Sequence, residues 1–329
     1  MKPAAGLRAS YSISMRALPL LLLTSALAAV AQDDAVIKVD VDLVNVLCTV
    51  RAKNGALVGN LEKKDFQVFE DGKQQEVKYF TRETDLPLTI GLLVDVSGSQ
   101  ERLIEVERRA AHQFFTQVLR KKDVAFLISF GAEAELLQDS TNSPKLLLDG
   151  LNQLRLNVPV GGVHPGPVPT QQRNAGTILY DAVYLAAYDK LKGEVGRKVI
   201  VVIIDGVDTG SRKSRDQSIE AAQKSDAIIN SIFYQDSYAY GGFGGGGGEG
   251  ELRRMSNDTG GRVFHVDRKY TLEDAFKDLQ DEMRSQYSIA YATPNPKKDG
   301  AFHKLEIRTA NKDQKVQARK GYYAIETAN

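Results

Sequence analysis

The sequence predicts an α/β protein, a doubly wound and mostly parallel sheet inserted into a small all-β sandwich. Three observations carry this expectation. Leu88–Asp95 (LTIGLLVD) and Lys198–Ile204 (KVIVVII) are unbroken apolar, β-branched runs, as in strands buried on both faces of a parallel sheet. From Leu88 to Arg284 strand-like and helix-like patterns alternate, which argues βαβ units. The segments outside that region alternate apolar and polar residues at period two, the pattern of half-buried strands.

In the first flank, Val36–Val50 reads as a strand and Lys53-Asn54-Gly55 as a turn. Asp65–Glu70 is a second strand, and Asp71-Gly72 is a hairpin turn leading to its partner, Gln75–Thr81. The last flank offers Gln286–Ala292, Phe302–Thr309 and Lys315–Tyr323. Neither set is large enough to form a stable sandwich alone. Residues 33–82 and 286–324 are therefore expected to share one sandwich, with residues 86–284 inserted between them.

Within the insert, Gln100–Arg120 places Leu103, Val106, Ala110, Phe114 and Val118 on one helical stripe. Asp123–Phe130 is a strand and Ala134–Leu137 a short edge. Ser143 opens a helix with Pro144 in its first turn. Residues 157–172 read as a Gly/Pro-rich surface loop, followed by a helix over Thr177–Leu191. Ser214–Ser225 is the next helix and Ala227–Tyr234 the next strand. Gly241–Gly250 (GGFGGGGGEG) is expected to be flexible. Glu251–Asn257 then forms a short helix, Arg262–Val266 the last strand, and Thr271–Arg284 a helix capped by Thr271 with Asp274.

Residues 1–31 are read as a signal peptide. Lys2, Arg8 and Arg16 precede an apolar run, Ala17–Val30, that ends in Ala29-Val30-Ala31. That run falls short of the ~20 residues a membrane span needs, and no later segment is apolar enough to cross. The expected location is periplasmic or extracellular. Without that segment 40 of the 43 Lys and Arg remain, against 42 Asp and Glu. No basic face announces nucleic acid or an anionic membrane. The one cysteine, Cys48, lies in a strand pattern and reads as a small buried hydrophobe.

The chemistry gathers at the strand ends. Asp95, Ser97 and Ser99 stand at i, i+2 and i+4 after the first buried run, on one side of an extended chain. The second buried run also ends in a carboxylate, Asp205, and Asn174-Ala175-Gly176-Thr177 could bring one more oxygen to the same edge. Oxygen donors without His or Cys suit a hard ion: Mg²⁺, with Ca²⁺ or Mn²⁺ as alternates. Asp208 reads as a solvated turn residue, and Asp181 stands outside the set. His112, His164, His265 and His303 lack zinc-site spacing. Tyr234, Tyr238, Tyr240 and Phe243 could rim a ligand at that edge, or belong to an insertion of no consequence.

Asp95-Val96-Ser97-Gly98-Ser99 resembles the DxSxS signature of the von Willebrand factor type A (VWA) family. The likeness continues in order to Thr177 and to the D-G-x-D turn Asp205–Asp208, and spans roughly Leu86–Arg284. The flanks, with the Glu70–Lys73 turn and Arg319–Tyr323 (RKGYY), resemble bacterial exported VWFA-related proteins. The resemblance implies a metal-ion-dependent adhesion site with Ser97, Ser99 and Thr177 as hydroxyl ligands, and Asp95 and Asp205 acting directly or through water. Ile204 stands where the family often has Thr, outside the ligand set.

Two aspartates balance a dication, and the helix expected from Gln100 would turn its positive end to the site. The expected sixth ligand is an acidic side chain of a partner protein. The leading expectation is thus an exported binding module that is not an enzyme. Two other readings stay open at this level: a metal-dependent hydrolase using the same aspartates, and a structural envelope protein whose ion stabilises the fold. Against the hydrolase, no G-x-S-x-G elbow follows a strand and no Walker A motif is present.

Overall fold

The structure, a computed structural model, describes residues 42–83, 86–98, 103–155, 176–234, 246–295 and 297–325. The first flank contributes β1 (Leu43–Ala52), β2 (Phe66–Glu70), β3 (Lys73–Gln75) and β4 (Val77–Glu83). The centre then runs β5 (Leu88–Asp95), α1 (Ile104–Val118), β6 (Val124–Phe130), β7 (Ala134–Thr141), α2 (Pro144–Leu151) and α3 (Leu179–Leu185). It continues with β8 (Arg197–Ile204), α4 (Arg215–Lys224), β9 (Ala227–Tyr234), α5 (Gly246–Thr259), β10 (Val263–Val266) and α6 (Leu272–Arg284). The last flank adds β11 (Gln286–Ala292), β12 (Phe302–Thr309), β13 (Gln314–Ala318) and β14 (Gly321–Tyr323).

The central sheet has six strands in the order β10-β9-β8-β5-β6-β7. All pairings are parallel except that of the edge strand β7. β5 and β8 are buried at every residue, because helices cover both faces. Ile90, Leu92 and Val94 of β5 pack with α1, α2 and α6, while Leu93 packs with α3, α4 and α5 on the other face. This is the doubly wound α/β class expected from the two apolar runs.

The flanks interleave. One four-stranded sheet is ordered β13-β1-β11-β4 and the other β14-β12-β2-β3, so each mixes strands from both ends of the chain. Val46, Cys48, Val68, Tyr287, Ile289, Tyr291 and Leu305 fill the space between them. Cys48 is buried as expected, and burial pushes its thiol up to about 12.

Several local expectations are corrected. Gln75–Thr81 is not one strand: β3 closes the hairpin with β2, Glu76 breaks the chain, and β4 crosses to the other sheet to pair with β11. Lys315–Tyr323 splits in the same way at Arg319-Lys320, sending β13 to β1 and β14 to β12. β7 runs to Thr141, longer than the expected edge. The helix expected over Thr177–Leu191 begins at Leu179 and changes to a π-helical turn over Ala186–Leu191. The capping box of Thr271 and Asp274 forms as expected. Residues 1–31, 36–41 and 157–172 lie outside the described residues. Among the described residues, no helix is long and apolar enough to cross a membrane.

Candidate metal centre

The strand order reverses between β5 and β8, with chain connections running to opposite sides. Open α/β sheets bind ligands in the crevice beyond the carboxyl ends of such strands. Asp95 is the last residue of β5, and Asp205 immediately follows β8. The register Val94↔Ile203 puts the two on adjoining strand ends, and the Asp205 charge acts on Asp95.

Asp95 is fully buried. Its Oδ1 accepts a hydrogen bond from the Ser97 N–H at 2.8 Å, and the Ser97 side chain bonds the same carboxylate. Oδ2 accepts no hydrogen bond among the described residues. Leaving a buried acceptor unsatisfied costs about 1–3 kcal/mol, more for a charged group, and a cation beside it would relieve that cost. Burial pushes the Asp95 carboxyl up to about 7, with Asp205 adding repulsion and the Ser97 bonds opposing. An orphaned, buried carboxylate oxygen among oxygen donors fits a hard divalent ion.

Thr177 is held near this edge by its neighbours. The Ile178 N–H donates to Gly131 O at 2.9 Å, one residue past Phe130, the β6 partner of Asp95. The loop after Asp205 is laced to the start of α3. Thr177 N–H donates to Thr209 Oγ1 at 2.9 Å, and Thr209 N–H returns to Thr177 O at 3.0 Å. Asp208 Oδ2 accepts from Tyr180 N–H at 3.1 Å, and Asp181 accepts from Arg212 and Lys213 N–H at 3.0 and 2.7 Å. Asp208 is half-buried and committed to capping rather than solvated, and each Asp181 oxygen accepts a backbone N–H of the same loop.

Ser99 lies outside the described residues, as do Asn174, Ala175, Tyr238, Tyr240 and Phe243. Tyr234 packs against the apolar core rather than standing free as a rim. The glycine run is corrected in part: Gly246–Gly250 form the first turns of α5. A Cβ on Gly248 would lie 2.8 Å from Gly206 O, so its lack of a side chain lets α5 approach the Asp205-Gly206 turn. Among the described residues α1 runs from Ile104; Gln100, the expected start, lies outside them.

Sequence reasoning missed Glu107. It is 1% exposed on the buried side of α1, beside Ala110 and Ala111. Burial and the charges of Asp95 and Asp205 push it well above the ordinary carboxylate range. The sequence signal was available, since Glu107 stands four residues after Leu103 and three before Ala110. A second cluster was also missed. His303 Nδ1 lies 2.8 Å from Asp71 Oδ2 and 3.8 Å from Glu70 Oε1. Glu70 Oε1 already accepts from Thr293 Oγ1 and Asn295 Nδ2, each at 2.9 Å. That convergence ties the β2–β3 turn to the last flank.

No protein-family model and no curated protein matches the chain. Among solved structures, the chain is similar to proximal thread matrix protein 1 from the mussel byssus, described with a zinc-occupied MIDAS motif. That match has 13% identity over 65% of this chain and 50% of the other, with a TM-score of 0.49. The chain thus spans about half the length of that mussel structure. It is also similar to the vWF domain of the type V pili tip protein Mfa5 from Porphyromonas gingivalis (11%, 60% and 95%, TM-score 0.46). A third similar structure is BatB from Bacteroides thetaiotaomicron (16%, 60% and 97%, TM-score 0.44). Likeness at these identities concerns fold alone. The strand order, with its single antiparallel edge and its aspartates at the reversal, defines a VWA-like fold.

Proposed function

We propose that the protein is an exported, divalent-cation-dependent binding module whose site is completed by an acidic side chain of a partner protein. One observation carries the reading: the buried Asp95 carboxylate, with Oδ2 unsatisfied, stands beside Asp205 at the reversal of strand order. Asp95, Ser97, Ser99, Thr177 and Asp205 would hold the ion, Mg²⁺ in the first instance and Ca²⁺ or Mn²⁺ as alternates. When bound, the ion supplies a Lewis-acidic position for a carboxylate oxygen. Two ionised aspartates would balance its charge, while burial and the charges of Asp95 and Asp205 push the Glu107 carboxyl upward. A hard divalent cation takes carboxylate oxygens as ligands, so an acidic side chain suits the remaining position.

In this reading residues 1–31 direct export, residues 86–284 carry the binding site, and residues 33–82 with 286–324 form the supporting sandwich. The test is calorimetric titration of the mature protein with Mg²⁺, Ca²⁺, Mn²⁺ and Zn²⁺, followed by affinity capture of partners with and without EDTA. Asp95→Ala and Thr177→Ala should each weaken cation binding at least about tenfold, and Asp95→Ala should abolish cation-dependent capture. Capture that survives both EDTA and Asp95→Ala would refute the mechanism.

A further inference from the structure

A cleft of about 450 Å³ lies between the sandwich and the amino ends of β8 and β9, at the edge of the central sheet opposite Asp95. A volume of this order suits a small organic ligand. The charges that line it do not cancel. Lys298 pairs with Asp42 at 3.3 Å, Arg319 pairs with Asp226, and Lys224 pairs with Glu220 at 2.6 Å. Lys192, Lys198 and Lys297 then remain against Glu194.

Lys198 is the informative member. It is only 8% exposed at the start of β8, where it lines the cleft. Burial lowers its pKa, with Asp226 and Glu194 opposing from beyond pairing distance. Its stem is covered while the residue lines the cleft, and an anion there would offset the partial desolvation of the ammonium. The same cleft presents apolar surface: Leu43 is 47% and Val195 78% exposed, and Ile325 also lines it.

We propose that this cleft binds an amphiphilic organic anion, with a carboxylate or phosphate head at Lys198 and an apolar body along Leu43, Val195 and Ile325. The surplus of cationic side chains favours one or two negative charges on the ligand. This assignment is independent of the metal centre.

The probe is 1-anilinonaphthalene-8-sulfonate, an aromatic body carrying one anionic head, titrated by fluorescence into the mature protein in EDTA. One saturable site is expected. Lys198→Met, which keeps the buried stem without the charge, should weaken it at least about tenfold. The surface pair Lys192→Ala and Lys297→Ala should weaken it severalfold without touching the core, and this pair carries the test if Lys198→Met does not fold. Asp95→Asn should leave it unchanged. Displacement by decanoate or by decyl phosphate supports the site, and the stronger competitor identifies the head group. Absence of saturable binding, failure of both competitors, or wild-type affinity in folded variants would overturn the proposal.

Discussion

Asp95 joins two requirements that conflict in a metal-free protein: it ends a fully buried strand, and it carries a carboxylate. Burial raises it from an ordinary value of 3.8 to about 7, so the folded chain holds a proton there that the unfolded chain releases. A raised carboxyl contributes stability that is fully present below pH 3.8 and is lost as pH rises through about 7. In EDTA, the stability of the wild type relative to Asp95→Asn should therefore fall between pH 4 and 7, as measured by urea unfolding. Cation binding requires the ionised form, so saturating Mg²⁺ should flatten that slope, and Mg²⁺ affinity should climb as pH rises toward about 7 and level off above it. A slope identical in the two proteins would show that Asp95 is not the group responsible.

At the scale of elements, the central sheet depends on one close approach. Gly91 faces Phe126 across the β5–β6 ladder, and a Cβ on Gly91 would lie 2.3 Å from the Phe126 ring. Phe126 is fully buried, so its ring cannot swing into solvent. Gly91→Ala should cost about 1–3 kcal/mol through overpacking, as read from the urea midpoint. Phe126→Leu alone should also destabilise. The double variant should recover part of the loss, with a coupling of at least about 1 kcal/mol, whereas simple additivity would deny the contact. Elsewhere, local chemistry and element boundaries agree: the Asp71-Gly72 turn adopts positive φ, and Ser214 and Thr271 cap their helices through their side chains.

Across the whole molecule, the sandwich and the central sheet meet at a few specific contacts. Gln317 Nε2 donates to Gly261 O at 2.6 Å, and Lys320 N–H donates to Asp258 O at 3.0 Å. Glu282 of α6 pairs with both Arg262 of the centre and Arg51 of the sandwich. Its side chain is 9% exposed, against 23% for Arg51 and 29% for Arg262. Glu282→Ala would take the shared carboxylate from two half-buried guanidinium groups, leaving Arg262 with Asp278 at 3.5 Å. The expected cost is about 2 kcal/mol, below the 3–5 kcal/mol of a fully buried pair because water reaches both arginines. A loss under about 0.5 kcal/mol would mean that the junction rests on its backbone bonds instead.

What was legible in the chain follows from the range of the forces involved. The runs Leu88–Asp95 and Lys198–Ile204 announced buried strands because burial on both faces demands apolar residues at every position. The same runs placed Asp95 and Asp205 at strand ends, and alternation in the flanks announced half-buried strands. These are properties of neighbours in sequence.

The breaks at Glu76 and at Arg319-Lys320 were not legible, because alternation continues through them and only pairing with β11, β1 and β12 assigns each half to its sheet. The helical state of Gly246–Gly250 was hidden for a related reason. Glycine disfavours a helix locally, and here the close packing of Gly248 against Gly206 accompanies the opposite outcome. Glu107 became part of the site environment only when α1 packed beside the ends of β5 and β8. The sequence by itself determined the strands, the turns and the type of chemistry at their ends. Tertiary structure alone decided which ends meet and which charges share a dry space, because electrostatic and packing energies depend on distances that the folded chain creates.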